Sequence, residues 1–239
     1  HPALGYYVRV TGTTAATALI EGLTLPVTTP ISLHPGWNWI GYLPEVTLPI
    51  TQALQSIEGQ YQRVLSLDKT FDPALPGYST LRFMEPGKGY LIYATQAVTL
   101  VYPAEGFALN AEAQSEMNAT CAGLSPTPHF TLVYGELLIN EQPAPVGSRV
   151  EVLTPRGDIA GCVVLETPGA IGLMHVYGED ATSSPSIAGF REDESLTFRV
   201  NGIPVETSPL MWHDDWSSHS VSLQADYKHV YLPLVMRER

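Results

Sequence analysis

The stretch Leu33-His34-Pro35-Gly36-Trp37-Asn38-Trp39-Ile40-Gly41-Tyr42 sets the fold class. His34-Pro35-Gly36 is a turn, because proline fixes one backbone angle and glycine admits conformations closed to other residues. The six residues that follow alternate. Trp37, Trp39 and Gly41 fall on one side, and Asn38, Ile40 and Tyr42 on the other, which is the period of a strand and not of a helix.

Upstream, Ile31-Ser32-Leu33 predicts a short strand. Downstream, Pro49 opens the one helical pattern, with Ile50, Ala53, Leu54 and Ile57 on one face, and Gly59 closes it. A strand is expected at 61–67, then a Pro/Gly-rich loop at 72–79. Strands at 81–84 and 89–93 complete a small β-rich module over 23–102. Pro2-Ala3-Leu4-Gly5-Tyr6-Tyr7-Val8-Arg9-Val10-Thr11 echoes Pro86-Gly87-Lys88-Gly89-Tyr90-Leu91-Ile92-Tyr93-Ala94-Thr95, with five of ten positions chemically equivalent. The echo leads to the expectation that residues 1–22 are the tail of a preceding, truncated repeat. The chain opens on His1 with no leader pattern, so it is expected to begin after a cut.

Residues 103–128, rich in Ala, Glu and Gln and ending in Ser125-Pro126-Thr127-Pro128, read as a linker, with a short helix at 111–117. Beyond it, strands are expected at 130–134, 136–139, 149–154, 159–165, 171–177, 196–201, 221–225 and 230–235. Leu196-Thr197-Phe198-Arg199-Val200 shows the alternation most clearly. This spacing predicts an all-β chain: the repeat module with one short helix, then a seven- to eight-stranded antiparallel β-sandwich over 129–226. Residues 227–239 form a C-terminal strand or attachment tail.

Composition supports a folded chain of 239 residues, with 44% hydrophobic and 15% charged residues, the latter below the usual quarter. The net charge of −12 sits almost wholly after residue 102, where seven basic residues face eighteen acidic ones. That balance excludes a phosphate-backbone partner. No apolar run is long enough to span a bilayer as a helix. Cys121 and Cys162 are the only cysteines, and in a β-rich, lysine-poor chain they predict a disulfide in an oxidising compartment.

Motifs for chemistry are sparse. No G-x-S-x-G elbow is present, and neighbouring residues in His213-Asp214-Asp215-Trp216-Ser217-Ser218-His219 point apart, so the run predicts an exposed loop and not a triad. Glu179, Asp180, Glu192, Asp193 and Asp214 are candidate oxygen ligands, for which calcium is the suitable cation, although the Asp-x-Asp-x-Asp-Gly loop is absent. No other cofactor is implied. Trp37, Trp39, Tyr42 and Tyr90 are candidates for stacking on a sugar, with the module's own core as the alternative use of these rings. Asn118-Ala119-Thr120 fits a glycosylation acceptor.

The pair Gly36-Trp37-Asn38-Trp39-Ile40 and Pro86-Gly87-Lys88-Gly89-Tyr90 resembles a repeat of bacterial extracellular proteins, opened by a GWN strand and closed by a PGxGYW strand. Tyr134-Gly135-Glu136-Leu137-Leu138-Ile139-Asn140, with Gln142-Pro143-Ala144-Pro145-Val146-Gly147, resembles the carboxypeptidase-regulatory-like (transthyretin-like) sandwich. There Glu141 stands where the family's turn has Gly. Tyr231-Leu232-Pro233-Leu234-Val235 resembles a C-terminal strand of secreted bacterial proteins. These resemblances imply a non-catalytic extracellular or cell-surface structural module, a spacer, stalk or appendage subunit. Its partners would be other modules of the same protein or neighbouring copies, joined by strand addition through Tyr6, Val8 and Val10 and through Tyr231, Leu232 and Val235. A carbohydrate or cell-wall binding module is the alternative.

Overall fold

The computed structural model describes residues 25–104, 121, 123–183 and 185–226. The expected strands around Tyr6–Val10 and at 230–235, the helix at 111–117 and the acceptor Asn118 lie outside these residues.

The first half builds β1 (Ile31–Leu33), β2 (Gly36–Gly41), β3 (Leu48–Pro49), α1 (Ile50–Ala53), a 3₁₀ turn (Gln55–Ile57), β4 (Tyr61–Leu65), β5 (Thr70–Phe71), β6 (Phe83–Met84), β7 (Gly89–Ala94) and β8 (Val98–Leu100). An antiparallel sheet runs β2-β7-β4-β5, with the two-stranded ladders β1–β8 and β3–β6 beside it. Ile40, Tyr42, Val64, Tyr90 and Ile92 from the sheet meet Ile50, Ala53, Leu54 and Ile57 in one buried core. All four apolar helix positions are therefore used. The helix is nonetheless one turn of α followed by one of 3₁₀, with no side-chain cap at either start. The strand expected at 61–67 stops at Leu65, where Ser66 N–H turns to bond the Lys69 carbonyl. That expected at 81–84 shrinks to two residues.

The second half builds β9 (Phe130–Ile139), β10 (Gln142–Pro143), β11 (Arg149–Leu153), β12 (Ile159–Val164), β13 (Ala170–Tyr177), β14 (Thr197–Val200), β15 (Ile203–Val205) and β16 (Ser218–Ala225). They form one eight-stranded sheet, ordered β10-β9-β13-β12-β11-β14-β15, with β16 on β9. The sheet curls around Val133, Leu137, Val150, Val152, Met174, Val176, Phe198, Val200, Trp212 and Leu223. The all-β, sandwich-like architecture is thus as the alternation predicts.

Three details depart from the sequence reading. The strands expected at 130–134 and 136–139 are one ten-residue strand, because Gly135 carries the ladder through at φ +153°, a conformation open to glycine. β16 pairs with β9 in parallel, so the sheet is not antiparallel throughout. β10 and β15, two and three residues long, fall below what periodicity reveals. Asn140 and Glu141 both adopt positive φ, 49° and 63°, the geometry of a two-residue hairpin turn between β9 and β10. Glu141 holds a conformation that glycine takes without strain.

Candidate functional site

A third buried cluster joins the two halves. Leu65 and Leu91 pack on Phe130, Leu132, Leu173 and Tyr177, with Trp37, Tyr78, Tyr134 and Trp216 around them. The geometry follows from strand periodicity. On β2, β7 and β4 the face opposite the first core carries Trp37, Leu91, Tyr93, Arg63 and Leu65. On β9 the face opposite the second core carries Phe130, Leu132 and Tyr134.

β13 reaches the same seam through a bulge. Ile171 pairs Gly135 and Met174 pairs Val133, so one extra residue is inserted between them. The insertion switches which side chains face the core. Ile171, Met174 and Val176 point to the second core, whereas Leu173 and Tyr177 point to the seam. The bulge also frees backbone groups for the first half. Leu173 N–H donates to the Tyr78 carbonyl at 2.6 Å, and the Thr80 hydroxyl donates to the Leu173 carbonyl at 3.2 Å. Gly172 permits this approach, since a Cβ there would lie 2.6 Å from Thr80 Cγ2.

Polar groups fix the register of the seam. Arg63 donates to Asp72 Oδ2 (3.0 Å), to the Trp216 carbonyl (2.8 Å) and to Ser218 Oγ (3.1 Å). Tyr177 Oη donates to the Leu67 carbonyl at 2.8 Å. Trp216, at φ +55°, stacks on Phe130 with centroids 5.0 Å apart and meets the edge of Trp37 at 5.4 Å.

His175 is a buried titratable group of this seam, 3% exposed. Its ring stacks on Phe130 at 4.7 Å and an interplanar angle of 10°. Nε2 lies 2.7 Å from Thr70 Oγ1, and Nδ1 has no partner. An unsatisfied lone pair costs less than an unsatisfied N–H, so we assign the proton to Nε2, donating to Thr70. Burial, reinforced by the Arg63 guanidinium, pushes the imidazole down to about 3, so His175 is neutral at pH 7.

The rings predicted as a stacking platform separate. Tyr42 and Tyr90 are in the first core with Tyr102, and burial raises both phenols, Tyr90 to about 12. Trp37 is in the seam. Only Trp39 stands out, 47% exposed. A single four-ring platform is therefore not formed, because alternation sends Trp37 and Trp39 away from Tyr42, and Tyr90 pairs across from Ile40 on the core side.

The predicted cation ligands also separate. Glu179 binds Arg191 Nε at 2.5 Å, and that hydrogen bond holds its carboxyl below the usual range. Asp180 is buried and accepts from Thr182 N–H and Oγ1. Asp214 accepts from Phe130 N–H and contacts His129 Nδ1 at 2.7 Å. Glu192 and Asp193 share a loop end with His213, their ligand atoms within 4.8 Å of one another. However, His213 Nδ1 is 2.5 Å from Glu192 Oε1, closer than the roughly 3.3 Å between two tetrahedral ligands about 2.0 Å from a zinc ion. The imidazole is bonded to the carboxylate, which raises its affinity for a proton. The five carboxylates thus make separate ion pairs and turn contacts, not one oxygen cage.

In the run expected as an exposed loop, 213–217 lead into β16 and Ser218 and His219 are its first residues; Asp215 accepts from the Thr131 hydroxyl and Ser217 N–H and contacts His219 Nε2 at 2.9 Å. Burial pushes its carboxyl up, but these hydrogen bonds outweigh that and hold it low. Cys121 and Cys162 are joined by a disulfide, Cα–Cα 5.8 Å, which pins the end of the stretch read as a linker onto β12. Thr127 reinforces it, its hydroxyl within 2.9 Å of the carbonyls of His129 and Gly178.

Sequence reasoning missed Arg63, Thr70, His175 and Trp216 as a set. One signal for the seam was present: Phe130-Thr131-Leu132-Val133 and Leu173-Met174-His175-Val176-Tyr177 are apolar at all but one position each, and near-continuous apolar runs mark strands covered on both faces. No protein-family model matches this chain, and no match was found among curated proteins or solved structures.

Proposed function

We propose that the chain is a non-catalytic structural segment of an extracellular or cell-surface protein, a rigid two-part spacer or stalk element that presents neighbouring modules at a fixed angle. The observation that carries this reading is the seam. A spacer between flexibly linked domains transmits no orientation, and inter-domain contacts within one chain are by default loose and polar. Here the contact has an aromatic and aliphatic centre, with Arg63 and the β13 bulge bonded across it. The disulfide supports an oxidising compartment, and the resemblance to extracellular repeat and transthyretin-like modules supports the same setting.

Pulsed electron paramagnetic resonance on the intact chain, with one spin label on an exposed position of each half, tests the proposal. A single narrow inter-label distance that persists to moderate denaturant is expected; a broad distribution in native buffer overturns it. Turnover by the intact chain of any member of a glycosidase, esterase and peptidase panel would overturn the non-catalytic part.

A second reading, a carbohydrate-binding module, rests on the exposed indole of Trp39. On its face of β2 and β7 the next cross-strand pair is Gly41 with Gly89, which leaves flat space beside the ring. A shift in tryptophan emission on titration with cell-wall oligosaccharides, lost in Trp39→Ala, is the result this reading requires.

A further inference from the structure

β16 has a different relation to its sheet from the other strands. It lies parallel to β9 over eight consecutive positions, from Ser218 opposite Leu132 to Ala225 opposite Ile139. Parallel partners cannot be joined by a tight hairpin, so β16 reaches its place as a separate arm. Of its side chains only Leu223 and Ala225 are buried. The strand is therefore held mainly by its main-chain ladder, a mode of recognition indifferent to which chain supplies the strand.

The seat on β9 is shaped for this strand. At Gly135 a Cβ would lie 1.8 Å from the Val221 carbonyl oxygen and 2.9 Å from Val221 N. Only a residue without a side chain lets the two backbones close here, which makes Gly135 a notch that fixes where β16 sits. The approach to β16 is a short hinge. Trp212 is locked in the second core, with Nε1 donating to the Val176 carbonyl at 2.9 Å, and β16 begins at Ser218. Between them run His213, Asp214, Asp215, Trp216 and Ser217, each at least partly exposed, with Trp216 in the left-handed region at φ +55° while its ring packs in the seam. A bulky residue there is strained. Short, strained hinges before an edge strand favour exchange of that strand between copies.

We propose that the outer edge of β9 is a strand-acceptor site that takes either the chain's own β16 or the β16 of a second copy, residues 213–217 being the hinge. Two copies exchanging arms reciprocally keep the contacts of β16 itself, including the Gly135 notch and the burial of Leu223, and change only those of the hinge. The self-complementary pair closes and does not propagate. Within one chain the arm benefits from a high effective concentration, so exchange is set during folding and grows with protein concentration. This goes beyond the spacer reading and fails separately from it, since a chain that never exchanges arms is still a rigid spacer.

Glu136 and Ser222 are opposite one another across the ladder and both exposed, which supplies the test. Full-length Glu136→Cys and Ser222→Cys single variants are unfolded together in denaturant without reductant, then refolded as a mixture and oxidised. The Glu136→Cys/Ser222→Cys double variant, refolded dilute, calibrates the geometry. The expected result is an intramolecular 136–222 link in the double variant. In the mixture a two-chain product with that same link is expected by peptide mass mapping, its yield falling about tenfold or more on about 100-fold dilution at refolding. If the double variant closes its link while the mixture gives no 136–222 cross-link at any concentration, exchange is overturned. If the double variant fails to close, the seat itself is overturned.

Discussion

Acidification from pH 6.5 to 4.5 acts on the seam through one side chain. His175 is buried, stacked on Phe130 and bonded only to Thr70, with an unpartnered Nδ1. Its folded-state pKa is about 3 against an ordinary 6.5. Below pH 6.5 the unfolded chain takes up a proton that the folded chain refuses. The stability gained from burying neutral imidazole is therefore complete above pH 6.5 and is lost progressively as pH falls toward 3. At about 1.4 kcal/mol per pH unit, the step from 6.5 to 4.5 removes about 2 kcal/mol. The window isolates this group from the other shifted ones. His213 has a raised pKa and changes the balance only above 6.5, while Asp215, Glu179 and Glu194 have lowered carboxyl pKa values and act only below about 4.5. Urea unfolding followed by tryptophan emission, run at both pH values on the native chain and on His175→Gln, measures the difference. The native chain should lose about 2 kcal/mol and the glutamine variant, which cannot charge, far less. Equal losses in the two proteins, or no loss in the native chain, would refute the buried-neutral assignment.

Three further outcomes follow from the geometry. Arg63→Met leaves the Asp72 carboxylate, 6% exposed, without its cation, and should destabilise the chain by about 3 kcal/mol or more; near-ultraviolet circular dichroism should show the loss of the Trp37–Trp216 contact. Glu141→Gly relaxes a non-glycine residue at φ +63° and should raise stability by about 0.5–1 kcal/mol, partly offset by the freer unfolded chain, as read from the urea midpoint. Replacing Cys121 and Cys162 together by Ser opens a bridge spanning 41 positions and should cost about 4 kcal/mol in the chain-entropy account, with a matching fall in the thermal midpoint.

Strand period, turn chemistry and composition together specified the all-β class, the apolar helix face from Ile50 to Ile57, the inward side of β2 and the pairing of the two cysteines. These are local properties: a side chain's face is set by its neighbours two or four residues away, and two cysteines offer one pairing. What the strands would face on their second side was not local. Trp37, Leu65 and Leu91 lie on the face opposite their own core, and His175 is in register with Thr70 only because a bulge near Gly172 shifts β13 by one residue. Arg63 is more than 150 residues from Trp216 and Ser218 and meets them only when two sheets dock. The parallel seat of β16 on β9 has the same origin, since nothing within the sequence of β16 announces that its partner is Gly135. The amino-acid order alone determined where the longer strands lie and which way their side chains alternate, but not the short strands β10 and β15. Docking of the two sheets decided which outward faces became interior, because that depends on the shape and twist of whole sheets and not on any residue's neighbours along the chain.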